Sequence, residues 1–200
     1  MQMPFGNRTE PDRHTREQIV SAYSNHIREL IDEGRQSYFI NFMFNKLSGA
    51  TISPMDIMIR EVARVHHILT RHIVHRVNAR SWQHLRPIFI GCHDLPVWKH
   101  SKTSFSDFAV NNGLHYNVIA LVPKPARADM DRRFQHILFG RQSRLTVPLN
   151  AHFEQCSRFY LNDALACIHV TSINEGTMAD YALKTFKHGR VGWDSIQVWN

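Results

Sequence analysis

Tyr181 and Lys184 stand three residues apart near the end of a 200-residue chain, in the run Asp180-Tyr-Ala-Leu-Lys184. On a helix this spacing puts a phenol and an ammonium on one face, about a turn apart, where both can close on a single phosphate. The phenol would serve as nucleophile and the ammonium would stabilise charge. A phenol with an ordinary pKa of about 10 needs such help near neutral pH. Further upstream, the run Leu-His-Tyr-Asn-Val-Ile-Ala-Leu-Val over 114–122 reads as a strand stopped by Pro123-Lys-Pro125. Its two-residue period places His115 and Asn117 on one face, with Leu114, Tyr116 and Val118 on the other. The shorter apolar run over 87–94 ends in Cys92-His93-Asp94. Either Asp94 or His93 could complete a nitrogen and oxygen site with His115 and Asn117 for Mg²⁺ or Mn²⁺.

These groups need a scaffold, and hydrophobic periodicity supplies one. Residues 15–34 read as a helix capped by Thr15 and ended by Gly34, with Ile19, Val20, Tyr23, Ile27, Leu30 and Ile31 at helical spacing. The aromatic-rich run over 38–47, with Asn41 early in it, reads as a buried strand. Ser53-Pro opens a second helix that the pattern carries to about Asn78. Its Arg60, Arg64, His67, Arg71, His72, His75 and Arg76 read as a solvated face. Residues 95–113 form a basic, loop-like segment, and 127–139 read as a third helix. A short strand is expected over 145–147, irregular or helical structure over 153–161, and a strand over 164–173. Thr177-x-x-Asp180 then resembles a capping box at the start of the Tyr181 helix. The expected architecture is α+β, a central antiparallel sheet with helices packed on it, forming one domain over 15–200 behind a flexible polar tail over 1–14.

The order of the parts resembles the HUH endonuclease superfamily, specifically the single-tyrosine rolling-circle replication initiators, over about residues 38–190. The matching pieces are the strand around Phe39–Phe44, His115-Tyr-Asn117 on a strand that runs into prolines, and a strand followed by Tyr181-x-x-Lys184 on a helix. The resemblance implies a ferredoxin- or RRM-like fold and a Mg²⁺ or Mn²⁺ ion held by His115, Asn117 and Asp94. It further implies that Tyr181 attacks a single-stranded DNA phosphate, leaving a 5′-phosphotyrosine and a free 3′ hydroxyl that the same site can rejoin. In that family the strand motif is His-hydrophobic-His, and here Asn117 takes the place of the second histidine. Partners implied are an origin or hairpin in single-stranded DNA and a host helicase. Lys99, Lys102, Lys187, His188 and Arg190 form a basic rim along which a DNA backbone could run. The alternative expectation is a nucleic-acid-binding module of the same descent that no longer cleaves.

Composition narrows the remaining classes. A formal net charge of +7 with 14 histidines favours a polyanionic partner. No apolar run is long enough to span a bilayer, and the N-terminal residues lack the apolar core of a secretory signal. The three cysteines, Cys92, Cys156 and Cys167, are scattered and form no C-x-x-C pair, which favours a reducing, cytoplasmic setting. A small zinc protein is the weakest class, because the histidine and cysteine spacings match no familiar zinc motif.

Overall fold

A computed structural model describes residues 10–48, 52–95, 111, 114–125, 143–173 and 178–200. Five strands form one sheet in the order β4-β1-β3-β2-β5, and every pairing is antiparallel. They are β1 (Arg35–Phe44), β2 (Ile88–Asp94), β3 (His115–Pro123), β4 (Leu165–Ile173) and β5 (Gln197–Trp199). Helices α1 (Arg13–Asp32), α2 (Ile52–Ile73), α3 (Leu149–Gln155), α4 (Ser157–Tyr160), α5 (Met178–Ala182) and α6 (Lys184–Lys187) flank the sheet. The α+β class and the antiparallel sheet expected from periodicity are therefore present.

Alternation along the strands divides the interior in two. Tyr38, Ile40, Phe42 and Phe44 of β1 and Tyr116, Val118 and Ala120 of β3 pack with Met58, Val62, Val65 and Leu69 of α2, and with Leu149, Phe153 and Tyr160. The opposite face sets Ile90, Ile119 and Leu121 against Ile27 and Leu30 of α1 and Ala179 and Ala182 of α5. Over residues 118–122 strand β3 is thus apolar on both sides, and each fully buried Val or Ile there contributes about 1.5–3 kcal/mol. Gly91 makes the centre possible. A Cβ at that position would lie 2.6 Å from the Asn117 carbonyl oxygen and 2.8 Å from Tyr116 Cε1.

Several boundaries differ from the sequence expectation for local reasons. Helix α1 begins at Arg13, because Asp12 is the N-cap and its Oδ1 accepts from the Thr15 amide at 2.7 Å; residues 13 and 14 are helix, whereas they read as tail, and Thr15 is not the cap. The helix ends where expected, at Gly34, whose φ of 96° favours glycine. Helix α2 ends at Ile73, short of Asn78, and the Arg86 guanidinium holds the Val77 carbonyl at 2.6 Å. Residues 145–147 form no strand: the Arg144 amide donates to the Ile73 carbonyl at 2.8 Å, which ties this segment to the end of α2 instead of a sheet edge. Residues 153–161 are mostly helical, in α3 and α4. The expected third helix over 127–139 and the capping Thr177 lie outside the described residues. Among the described residues, no helix is long and apolar enough to cross a membrane.

Candidate active site

Register assembles the site. In the β2–β3 ladder Asp94 lies opposite His115 and Cys92 opposite Asn117, while in the β1–β3 ladder Asn41 lies opposite Asn117. Asp94, His115, Asn117 and Asn41 therefore share one face, as the two-residue period requires. The chain then returns through α5 and α6 over that face, carrying Tyr181, Lys184 and Thr185.

Asp94 is the hub. Its carboxylate is nearly solvent-free, and Oδ2 accepts from three donors: His115 Nε2 at 3.0 Å, Lys184 Nζ at 2.6 Å and Asn117 Nδ2 at 2.9 Å. The other oxygen, Oδ1, accepts from the Thr185 hydroxyl at 3.0 Å. Burial by itself would raise the Asp94 pKa, but the hydrogen bonds and charges of His115 and Lys184 outweigh it and bring the pKa down to about 2. The carboxylate is therefore anionic at any ordinary pH. Asn117 is fully buried, and its amide oxygen accepts from Asn41 Nδ2 at 2.9 Å.

Tyr181 borders this hub and is 48% exposed. Its ring meets Phe39 edge-on at 5.3 Å, and Lys184 Nζ sits over the same ring, 4.5 Å from its centre. Lys184 thus touches Tyr181 and Asp94 at once. The two residues bracket a break at Leu183 between α5 and α6, yet their side chains still meet as i,i+3 neighbours.

No protein-family model matches this chain, and no curated protein or solved structure matches it either. The chemical reading therefore rests on the chain's own atoms.

The sequence-selected residues Asp94, His115, Asn117, Lys184 and Tyr181 come together, from four separate elements. Of the two alternatives on β2, Asp94 faces His115. His93 points to the opposite side, with Nε2 3.0 Å from the Met55 carbonyl and its ring against Tyr116. Asn117 differs from the expected ligand: with its oxygen held by Asn41 and its amide nitrogen on Asp94, it orients the carboxylate. In the basic rim, Lys187 pairs with Asp180 at 2.8 Å, Arg190 donates to the Leu95 carbonyl at 3.2 Å, and His188 is exposed. Lys99 and Lys102 lie outside the described residues. Sequence reading missed Thr185 and the role of Asn41. Thr185 carried a signal, a hydroxyl directly after the motif lysine; the Asn41 contact depends on register between strands far apart in sequence.

A hard divalent cation suits the oxygen and nitrogen donors present. His115 Nε2 now donates to Asp94 Oδ2 at 3.0 Å, so a cation held by these two atoms would take the place of that proton. Two protein ligands are in keeping with Mg²⁺, which retains several waters and binds through few carboxylates.

Proposed function

We propose that the protein nicks and rejoins single-stranded DNA through Tyr181, in rolling-circle replication or mobilisation of a plasmid, phage or related element, and that it is an HUH-type endonuclease. The observation that carries this reading is the Lys184 ammonium, which bridges the Asp94–His115 pair and the exposed Tyr181 ring. The strand order also supports it: β1, β2, β3 and β4 lie in the order 4-1-3-2, with α2 between β1 and β2 and helices between β3 and β4, the split βαβ pattern of ferredoxin-like folds.

In this mechanism Tyr181 Oη attacks the scissile phosphorus in line. A tyrosine–phosphorus bond forms, the bond to the 3′ oxygen breaks, the phenol proton passes to solvent, and the departing oxygen takes up a proton. Lys184 stabilises negative charge on the phenolate and on the phosphoryl oxygens, and Asp94 and Thr185 hold its helix over the sheet. Mg²⁺ or Mn²⁺ held by His115 and Asp94 would act as a Lewis acid on a phosphate oxygen. The reverse attack by a 3′ hydroxyl restores the phosphodiester and frees Tyr181. Lys187 and Arg190 offer positive charge to the DNA backbone, with exposed His188 beside them. A host helicase is an expected partner, and a reducing cytoplasmic setting suits the three free cysteines.

Incubation with labelled single-stranded DNA carrying a candidate origin and Mn²⁺ should yield a covalent protein–DNA adduct that Tyr181→Phe abolishes. A second reading, a binding module without cleavage, is favoured by the engaged amide of Asn117 and by the lysine already neutralising Asp94. Tight DNA binding with no adduct under Mg²⁺, Mn²⁺ or other divalent ions would establish that reading and reject the enzyme.

A further inference from the structure

On the other side of the sheet a second set of chemically competent groups meets between helices. His72 of α2, His152 of α3 and Cys156 at the joint between α3 and α4 bring one ligand atom each within 4.8 Å of the other two. His72 Nδ1 and His152 Nε2 stand 3.3 Å apart. The buried Tyr160 hydroxyl lies 3.1 Å from the former and 2.9 Å from the latter. A cavity of about 670 Å³ opens beside them, with Arg71 and Arg144 also on its wall.

We propose that His72 Nδ1, His152 Nε2 and Cys156 Sγ bind a zinc ion whose fourth position opens to this cavity. Bonds of about 2.0–2.1 Å to nitrogen in a tetrahedral shell place neighbouring nitrogens about 3.3 Å apart, the separation seen here. Two imidazoles and a thiolate are donors that suit zinc over Mg²⁺ or Ca²⁺, and three protein ligands with an exchangeable fourth is a familiar zinc arrangement. The Tyr160 hydroxyl now bridges the same two nitrogens, so it holds both rings turned toward one point and gives up that place to the ion on binding. On binding, the Cys156 thiol releases its proton to solvent. The two arginines favour water or a small anion in the open position.

The ion would staple the 143–160 segment to α2. His152 and Cys156 sit one helical turn apart, but His72 is remote in sequence, so no local spacing announces the set.

The test uses the full chain stripped with EDTA and titrated with Co²⁺ and then Zn²⁺. One equivalent of Co²⁺ should give a thiolate-to-metal charge-transfer band that Zn²⁺ displaces; Cys156→Ser should remove it and Cys167→Ser should keep it. Loss of an outer-shell partner already costs about 10–100-fold in affinity, so His152→Gln should weaken Zn²⁺ binding by about 100-fold or more. Circular dichroism of each metal-free variant establishes that it is folded. Absence of the band in folded wild type, or its survival in Cys156→Ser, overturns the proposal. Neither readout involves DNA: a protein that binds zinc but forms no adduct would keep this site and lose the endonuclease.

Discussion

The two faces of the sheet each hold a polar cluster, and the clusters are built on opposite principles. On the α1, α5 and α6 side a charged carboxylate, Asp94, is surrounded by donors from β3 and α6, two of which carry or can carry positive charge. On the α2, α3 and α4 side, His72, His152 and Tyr160 form a triangle of groups held neutral by burial. A buried anion survives only if it is paired and hydrogen-bonded, whereas neutral imidazoles tolerate burial at the expense of their basicity. The first arrangement is suited to polarising and positioning a charged substrate. The second gathers two imidazole nitrogens around one shared hydroxyl.

Removing the centre of the charged cluster should have the largest effect. Asp94→Ala leaves the Lys184 ammonium, Asn117 Nδ2 and the Thr185 hydroxyl without their shared acceptor. Breaking a buried pair costs about 3–5 kcal/mol, and the partial exposure of Lys184 and His115 favours the lower end. Urea unfolding should show a loss of about 3 kcal/mol at pH 7. A change below about 0.5 kcal/mol, the ordinary range for surface substitutions, would mean that the carboxylate is not the hub described.

Acid titration of metal-free protein should separate the two faces by pH. His152 is lowered to about 4 in the fold, by burial first and by His72 second, from an ordinary 6.5. Between those values the unfolded chain binds more protons, so stability falls as pH drops from 6.5 to 4 and this contribution changes little below that. With the half-buried ring discounted for solvent access, the loss is about 1–2 kcal/mol. Asp94 behaves differently. Its folded pKa of about 2 lies below the ordinary 3.8, so its stabilisation is present above pH 3.8 and is lost as pH falls through 2, again by about 1–2 kcal/mol. His66, His72 and His93 are lowered by burial too, so His152→Gln should make the upper decline shallower while leaving the lower one unchanged, and an identical decline in both proteins would refute the contrast.

The two clusters were unequally legible in the sequence. Strand period placed His115 and Asn117 on one face, and helical spacing joined Tyr181 to Lys184, because both depend on neighbours in the chain. That Asp94 lies opposite His115, and that Asn41 takes the Asn117 oxygen, follows from register between strands, which a single sequence leaves open. The basic stripe of α2 was read correctly for Arg60, His67 and Arg71, all exposed; His75 and Arg76 are exposed too but lie beyond the helix end at Ile73. It failed at two positions. His72 turns toward Tyr160, and Arg64 donates to the Phe159 and Tyr160 carbonyls, because α4 docks there and supplies acceptors that periodicity alone does not reveal.

Tyr181 should show the smallest effect on stability and a complete effect on chemistry. Its ring is 48% exposed and its contacts, the Phe39 edge and the Lys184 ammonium, involve the ring face and not the hydroxyl. Tyr181→Phe keeps that ring, so unfolding free energy should change by less than about 0.5 kcal/mol. The DNA adduct should nonetheless vanish, since a phenylalanine has no oxygen to form the phosphoester. Lys184→Met gives the complementary case: it removes both the charge over Tyr181 and the partner of Asp94, so stability and strand transfer should fall together. If Tyr181→Phe instead destabilises the protein as much as Asp94→Ala, the hydroxyl is a structural part of the hub and is not held in reserve for a substrate.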